Sequence, residues 1–171
     1  MSVQTQKLRA VIWPLLSPET GLLYVDRISW PKLEKASGQY DFAPIHAAIG
    51  RARSIKRYAI LHIEPLAPMF CVNAVDEFIH LLESIGREFG MEPAILGVDV
   101  CCPGGEHTAE HEVLVRIVSA YRNAFPKARL FVQADSQVEA IADEGIGLIV
   151  TPENIDSVKK TWSKIPLRMV V

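Results

Sequence analysis

Residues 95–111 read ILGVDVCCPGGEHTAEH, and this stretch decides the fold. It opens as an apolar run over 95–100, broken only by Asp99. It stops at Cys101, Cys102, Pro103, Gly104 and Gly105, then delivers Glu106 and His107 just ahead of a helical pattern. A short apolar run closed by Pro and Gly reads as a buried strand ending in a tight turn. Polar groups at the C-terminal end of such a strand stand where α/β proteins build their sites. The plainer reading is a connector followed by an early-helix acid, which the helix dipole favours.

The same strand-then-helix rhythm extends outward in both directions. Residues 8–13, 22–30, 58–63, 129–133, 146–150 and 167–171 are further apolar runs bounded by turn formers and read as strands. Helical spacing appears in Phe42, Ile45, Ala48, Ile49 and Ala52, with Asp41 or Pro44 near the start. It returns over 74–89, where Val75, Phe78, Ile79, Leu82 and Ile85 share a face closed by Gly90, and over 108–125, stopped by Pro126. Shorter helices are expected at 138–143 and 154–162, while 32–41 reads as polar and irregular. Near-continuous apolar strands alternating with helices imply parallel strands covered by helices. An open doubly wound sheet and a (β/α) barrel both fit this pattern. Seven strand candidates in 171 residues fall short of a full barrel, which needs eight strands and typically about 250 residues. The segment between the first two candidates is too short for a crossover helix.

Composition narrows the class. Apolar residues make up 49% and charged residues 22%, as expected of one globular domain over 1–171 with a sizeable core. A net charge of −2 and no Lys/Arg block argue against a nucleic-acid partner. The first residues carry no secretory pattern, and no apolar run is long enough to span a bilayer. Three cysteines, Cys71, Cys101 and Cys102, do not make a disulfide framework, so a reducing, cytoplasmic setting is expected.

Residues 30–42, WPKLEKASGQYDF, resemble the W-x-x-L-E-P-x-x-G-x-Y-D-F signature of TIM-barrel glycoside hydrolases of the β-galactosidase-like group, with Lys35 where that family has Pro. Gly97-Val98-Asp99-Val100 followed by Gly104-Gly105-Glu106-His107 is similar to that group's fourth strand and the turn after it, without the aromatic residue between Glu and His. Residues 121–126 and 140–149 resemble the group's next helix and strands. The resemblance implies an α/β fold, a partial or reduced (β/α) TIM-type barrel with parallel strands. It implies a carbohydrate partner at the C-terminal strand mouth and Glu106 as the acid/base carboxylate, a role that needs a carboxyl held protonated until used. In retaining enzymes of this superfamily the nucleophilic Glu follows a late strand. The matching strand here is 167–171, so a truncated or shortened barrel is expected, with the second carboxylate sought among Glu64, Asp99, Asp135 and Glu153. On this reading Trp30, His62, Glu64, Asp99, His107 and Asp135 bind substrate, and no cofactor or metal is required. Alternatively, the same fold serves as a non-catalytic carbohydrate-binding or assembly module, whose open strand edges would pair with another copy.

Other chemistry is carried by the same residues. His107-Thr108-Ala109-Glu110-His111 matches H-x-x-E-H, the inverted zincin pattern, in which two histidines one turn apart share a metal and Glu110 is the base of a hydrolase. Cys101-Cys102 reads as a reactive pair, as soft-metal ligands or as core filler at a strand end. His62 and Glu64 stand at a strand end, where a hydrogen-bonded core histidine is equally expected. Trp30 offers a ring face for a sugar or a side chain for the core.

Overall fold

A computed structural model describes residues 9–12, 23–103, 111–133, 147–150 and 168–169. The elements are β1 (Arg9–Ile12), β2 (Leu23–Ser29), α1 (Trp30–Leu33), β3 (Glu34–Ala36), β4 (Gln39–Tyr40), α2 (Ala43–Ser54), β5 (Tyr58–Glu64), α3 (Ala74–Phe89), β6 (Ile95–Asp99), α4 (His111–Ala124), β7 (Arg129–Gln133), β8 (Gly147–Val150) and β9 (Arg168–Met169). Among the described residues, seven strands form one parallel sheet in the order β2-β5-β6-β7-β8-β1-β9. From β2 to β8 each strand pairs with the next parallel strand in the chain, which is the barrel progression. No pairing closes β2 onto β9 among the described residues, so the architecture is a partial (β/α) barrel.

β1 pairs with β8 and β9, toward the other end of the sheet from β2, so the short segment between β1 and β2 needs no crossover helix. One expectation changes. Residues 32–41 are not irregular: α1 begins with Pro at its start, where the missing N–H costs nothing, and β3 and β4 form an antiparallel hairpin. The helices expected at 138–143 and 154–162 lie outside the described residues.

Each strand serves two faces. Ile28 of β2, Ala59, Leu61 and Ile63 of β5, and Val98, Val100 and Cys102 in and just after β6 pack in one cluster with α2, α3 and α4. The helices contribute Ile45, Ala48 and Ile49, then Phe78, Leu82 and Ile85, then Ile117 and Tyr121. Side chains alternate along a strand, so Ile60, His62, Asp99 and Cys101 belong to the opposite, interior face. All four are buried.

Residues 30–42 fold as a staple between β2 and α2. Trp30 is 0% exposed and packs on Phe78, with ring centroids 5.1 Å apart. Its indole N–H donates to Glu34 Oε2 at 2.6 Å, and the Gly38 N–H donates to Glu34 Oε1 at 2.7 Å. Gly38, at φ +70°, turns the hairpin in the left-handed region that glycine enters without penalty. Tyr40 and Phe42 stack at 5.7 Å, and Asp41 Oδ1 accepts from Ala43 N–H at the mouth of α2. Burial, and then the Glu34 carboxylate, push the Tyr40 phenol above its ordinary pKa. The expectation that Trp30 stacks on a sugar is thereby corrected. Its ring is spent in the helix-side core, because the indole N–H finds its acceptor only by turning inward.

Three predictions follow from this packing. Glu34→Ala strands two donors, one of them the buried indole N–H, and should cost about 2–4 kcal/mol in denaturant titration. Glu34→Gln, which keeps one acceptor, should cost less.

Gly86 in α3 faces Ala124 of α4 so closely that an added Cβ would stand 2.6 Å from the Ala124 Cα. Helix propensity favours alanine by about 1 kcal/mol, but backbone overlap of this size outweighs it. Gly86→Ala should therefore lower stability by about 1–3 kcal/mol and reduce Tm.

At the start of α3 the Glu77 carboxylate accepts from the N–H groups of Val72 (2.9 Å) and Asn73 (3.1 Å), which hold its pKa below the usual carboxylate range. A depressed folded-state value adds stability above the unfolded pKa of about 4.3, and that stability is lost as pH falls through the folded value. The urea midpoint gap between wild type and Glu77→Gln should be open at pH 7 and close in acid below about pH 4.

Candidate functional site

Strand register assembles the site. Arg27 of β2 pairs with His62 of β5, His62 with Asp99 of β6, and Asp99 with Phe131 of β7. One step toward the C-terminal ends, Ser29 pairs with Glu64. Two sequence-expected residues, His62 and Asp99, are therefore adjacent across strands, and Glu64 follows His62 on the same face by alternation.

The His62 Nδ1–H donates to Asp99 Oδ2 at 2.6 Å. Asp99 is 0% exposed and His62 7% exposed. A carboxylate accepts only, so this bond places a proton on Nδ1. Asp99 is thus buried against His62 rather than open at the strand mouth. Glu64, half-buried, stands at the last position of β5.

The three cysteines separate. Cys101 turns to the interior face, with Sγ 3.8 Å from His62 Nδ1 and 4.0 Å from Nε2. Cys102 turns the other way into the helix-side core. The adjacent pair does not act as a unit, because neighbouring residues in extended backbone point to opposite faces. Cys71 lies apart, half-buried, its thiol pushed up to about 11 by burial and then by Glu77. Tyr121 of α4, fully buried, accepts from the Cys101 N–H at 3.5 Å. Burial, and then Cys101, raise its phenol well above the ordinary value, so it stays neutral.

The connection from β6 to α4 holds Glu106, His107 and Glu110, which lie outside the described residues, as do Asp135 and Glu153. His111 opens α4. Sequence reasoning missed the meeting of Cys101 with His62 and Asp99. The signal was present: Gly97, Asp99 and Cys101 share one parity, and Val98, Val100 and Cys102 share the other. It also passed over Arg27, which the same parity places on the interior face.

No protein-family model matches the chain, and no curated protein matches it. Solved structures do. A glycoside hydrolase aligns over 85% of this chain and 54% of its own, with TM-score 0.54 and 16% identity. An intracellular xylanase from Thermoanaerobacterium saccharolyticum, a mutant in complex with xylotriose, aligns over 86% of this chain and 63% of its own, with TM-score 0.53 and 11% identity. A psychrophilic glycoside hydrolase family 10 endo-β-1,4-xylanase aligns over 93% and 71%, with TM-score 0.52 and 12% identity. The chain thus spans 54% and 63% of the first two neighbours' lengths. Among the described residues no helix is long and apolar enough to cross a membrane. The fold is that of the TIM-barrel glycoside hydrolases, present in part.

Proposed function

We propose that this chain acts on a carbohydrate at the C-terminal mouth of its strands, with Glu106 as the proton donor. The observation that carries this reading is the polar interior at the ends of β5 and β6, in a barrel whose solved neighbours are glycoside hydrolases. In the sequence Glu106 follows β6 by seven residues, before α4 begins. His62, Glu64, His107 and Asp135 are the proposed substrate contacts, and Asp99 acts through His62. Glu64 is the described candidate for the second carboxylate. A pair of carboxyl groups is what either stereochemical course requires, one as acid and the other as base or nucleophile.

A second reading, a carbohydrate-binding or assembly module without turnover, is favoured by the open sheet, which leaves β2 with one described strand partner. Such an edge would accept a strand from a second copy.

One experiment separates the two. Purified chain is titrated with β-1,4-linked xylo- and gluco-oligosaccharides, and binding and hydrolysis are followed together. The hydrolase reading expects both, with turnover lowered about 10²–10⁴-fold in Glu106→Gln and binding retained. Binding without turnover supports the module. Turnover that is unchanged in Glu106→Gln removes Glu106 from the chemistry, and absence of binding to any saccharide overturns the hydrolase and the carbohydrate-binding readings and leaves assembly alone.

A further inference from the structure

We propose that His62, Asp99 and Cys101 form a binding site for one zinc-class divalent cation, set on the interior face of the barrel below the mouth. The proposal shares His62 and Asp99 with the carbohydrate reading but does not depend on it, and it uses none of the H-x-x-E-H residues ahead of and at the start of α4.

Three observations support it. First, the donors converge: one ligand atom from each residue lies within 4.8 Å of the other two. Tetrahedral zinc, with bonds of about 2.0–2.1 Å to nitrogen and oxygen and about 2.3 Å to sulfur, sets its ligands about 3.4–3.6 Å apart. The Nδ1 to Sγ separation of 3.8 Å is already near that value. The Nδ1 to Oδ2 distance of 2.6 Å is that of a hydrogen bond and must open by about 1 Å to admit the ion.

Second, charge balances. A thiolate and a carboxylate neutralise a dication, so the loaded site carries no net charge into a buried place, where an uncompensated one would be expensive. Binding releases the thiol proton and moves the imidazole proton from Nδ1 to Nε2. Third, imidazole and thiolate donors select zinc-class metals over magnesium or calcium, which prefer oxygen. Three protein ligands leave a fourth position for water or another ligand.

A nucleophilic Cys-His-Asp arrangement uses the same residues and fits less well. It requires the sulfur in line with Nε2, the nitrogen that Asp99 does not hold. Here the sulfur stands slightly nearer Nδ1 than Nε2.

The test uses the full chain purified without a His tag, stripped by chelator and titrated with Co²⁺ as the probe. One Co²⁺ per chain is expected, with a near-ultraviolet thiolate-to-cobalt absorption that Zn²⁺ abolishes by displacement. Cys101→Ser should lose that absorption and weaken binding at least ~10–100-fold. Cys71→Ser and the double variant His107→Asn, His111→Asn should keep it. In the wild-type chain, which avoids any folding defect of the variants, Zn²⁺ should slow alkylation of Cys101, read by peptide mass spectrometry against Cys71. Four results would overturn the site: no stoichiometric Co²⁺ binding, absorption that survives Cys101→Ser, absorption lost in the histidine double variant, or Cys101 alkylation indifferent to Zn²⁺.

Discussion

Parallel strands covered on both faces must satisfy two environments with alternate residues, and this constraint organises the whole chain. In β5 and β6 the parity of Ala59, Leu61, Ile63 and Val98 goes to the helices. The other parity, Ile60, His62 and Asp99, goes to the interior. A one-residue slip in either strand would exchange the two sets, sending an imidazole and a carboxylate into the apolar layer under α2, α3 and α4. The helix-side core therefore fixes the register that brings His62 beside Asp99. Packing on one face positions chemistry on the other.

Much of this is legible in the sequence alone. The strand and helix pattern over 58–100 translates almost residue for residue, because period-2 and period-3.6 patterns there are strong and Gly90 and Pro93 mark the boundaries. Helix α3, Ala74–Phe89, matches its expected bounds. The place of β1 was not legible. Nothing local in residues 9–12 says which distant strand they pair with, and neighbours in sequence are the usual guess. The hairpin at 34–40 was missed because its stability comes from a tertiary device, the Glu34 carboxylate shared between Trp30 and Gly38, rather than from strand propensity. In the site, His62 and Asp99 were visible singly as polar residues in apolar strands, but their contact depends on register, which one strand alone does not carry.

The motif that gave the resemblance turns out to describe folding more than chemistry. Trp30 and Leu33 fill the core, Glu34 closes the hairpin, Gly38 makes its turn, and Tyr40 and Phe42 lead into α2. Lys35, where the signature has Pro, is exposed in β3, so this departure sits at a position the staple does not use. A set of residues that holds a β-strand to its following helix is reusable on any barrel of this class, whatever the barrel does. That is why the signature predicts fold better than reaction.

The interior face itself argues that the polar trio is not an accident of exposure. Ile60, at 0% exposed, and Phe131, at 3%, show that apolar side chains fit the same layer. Placing a carboxylate at 0% exposure beside them costs several kcal/mol of desolvation, which its hydrogen bond to the imidazole helps to offset. Apolar residues of similar volume would serve stability as well or better. A fold optimised for stability alone would have no reason to keep Asp99 and His62 where Leu or Val would pack. Tyr121 reaches the same corner, its buried phenol accepting from the Cys101 N–H. Buried polar groups gathered in one cluster, at the C-terminal ends of adjacent strands, depart from the rule the rest of the core follows, and such departures are where functional sites are expected.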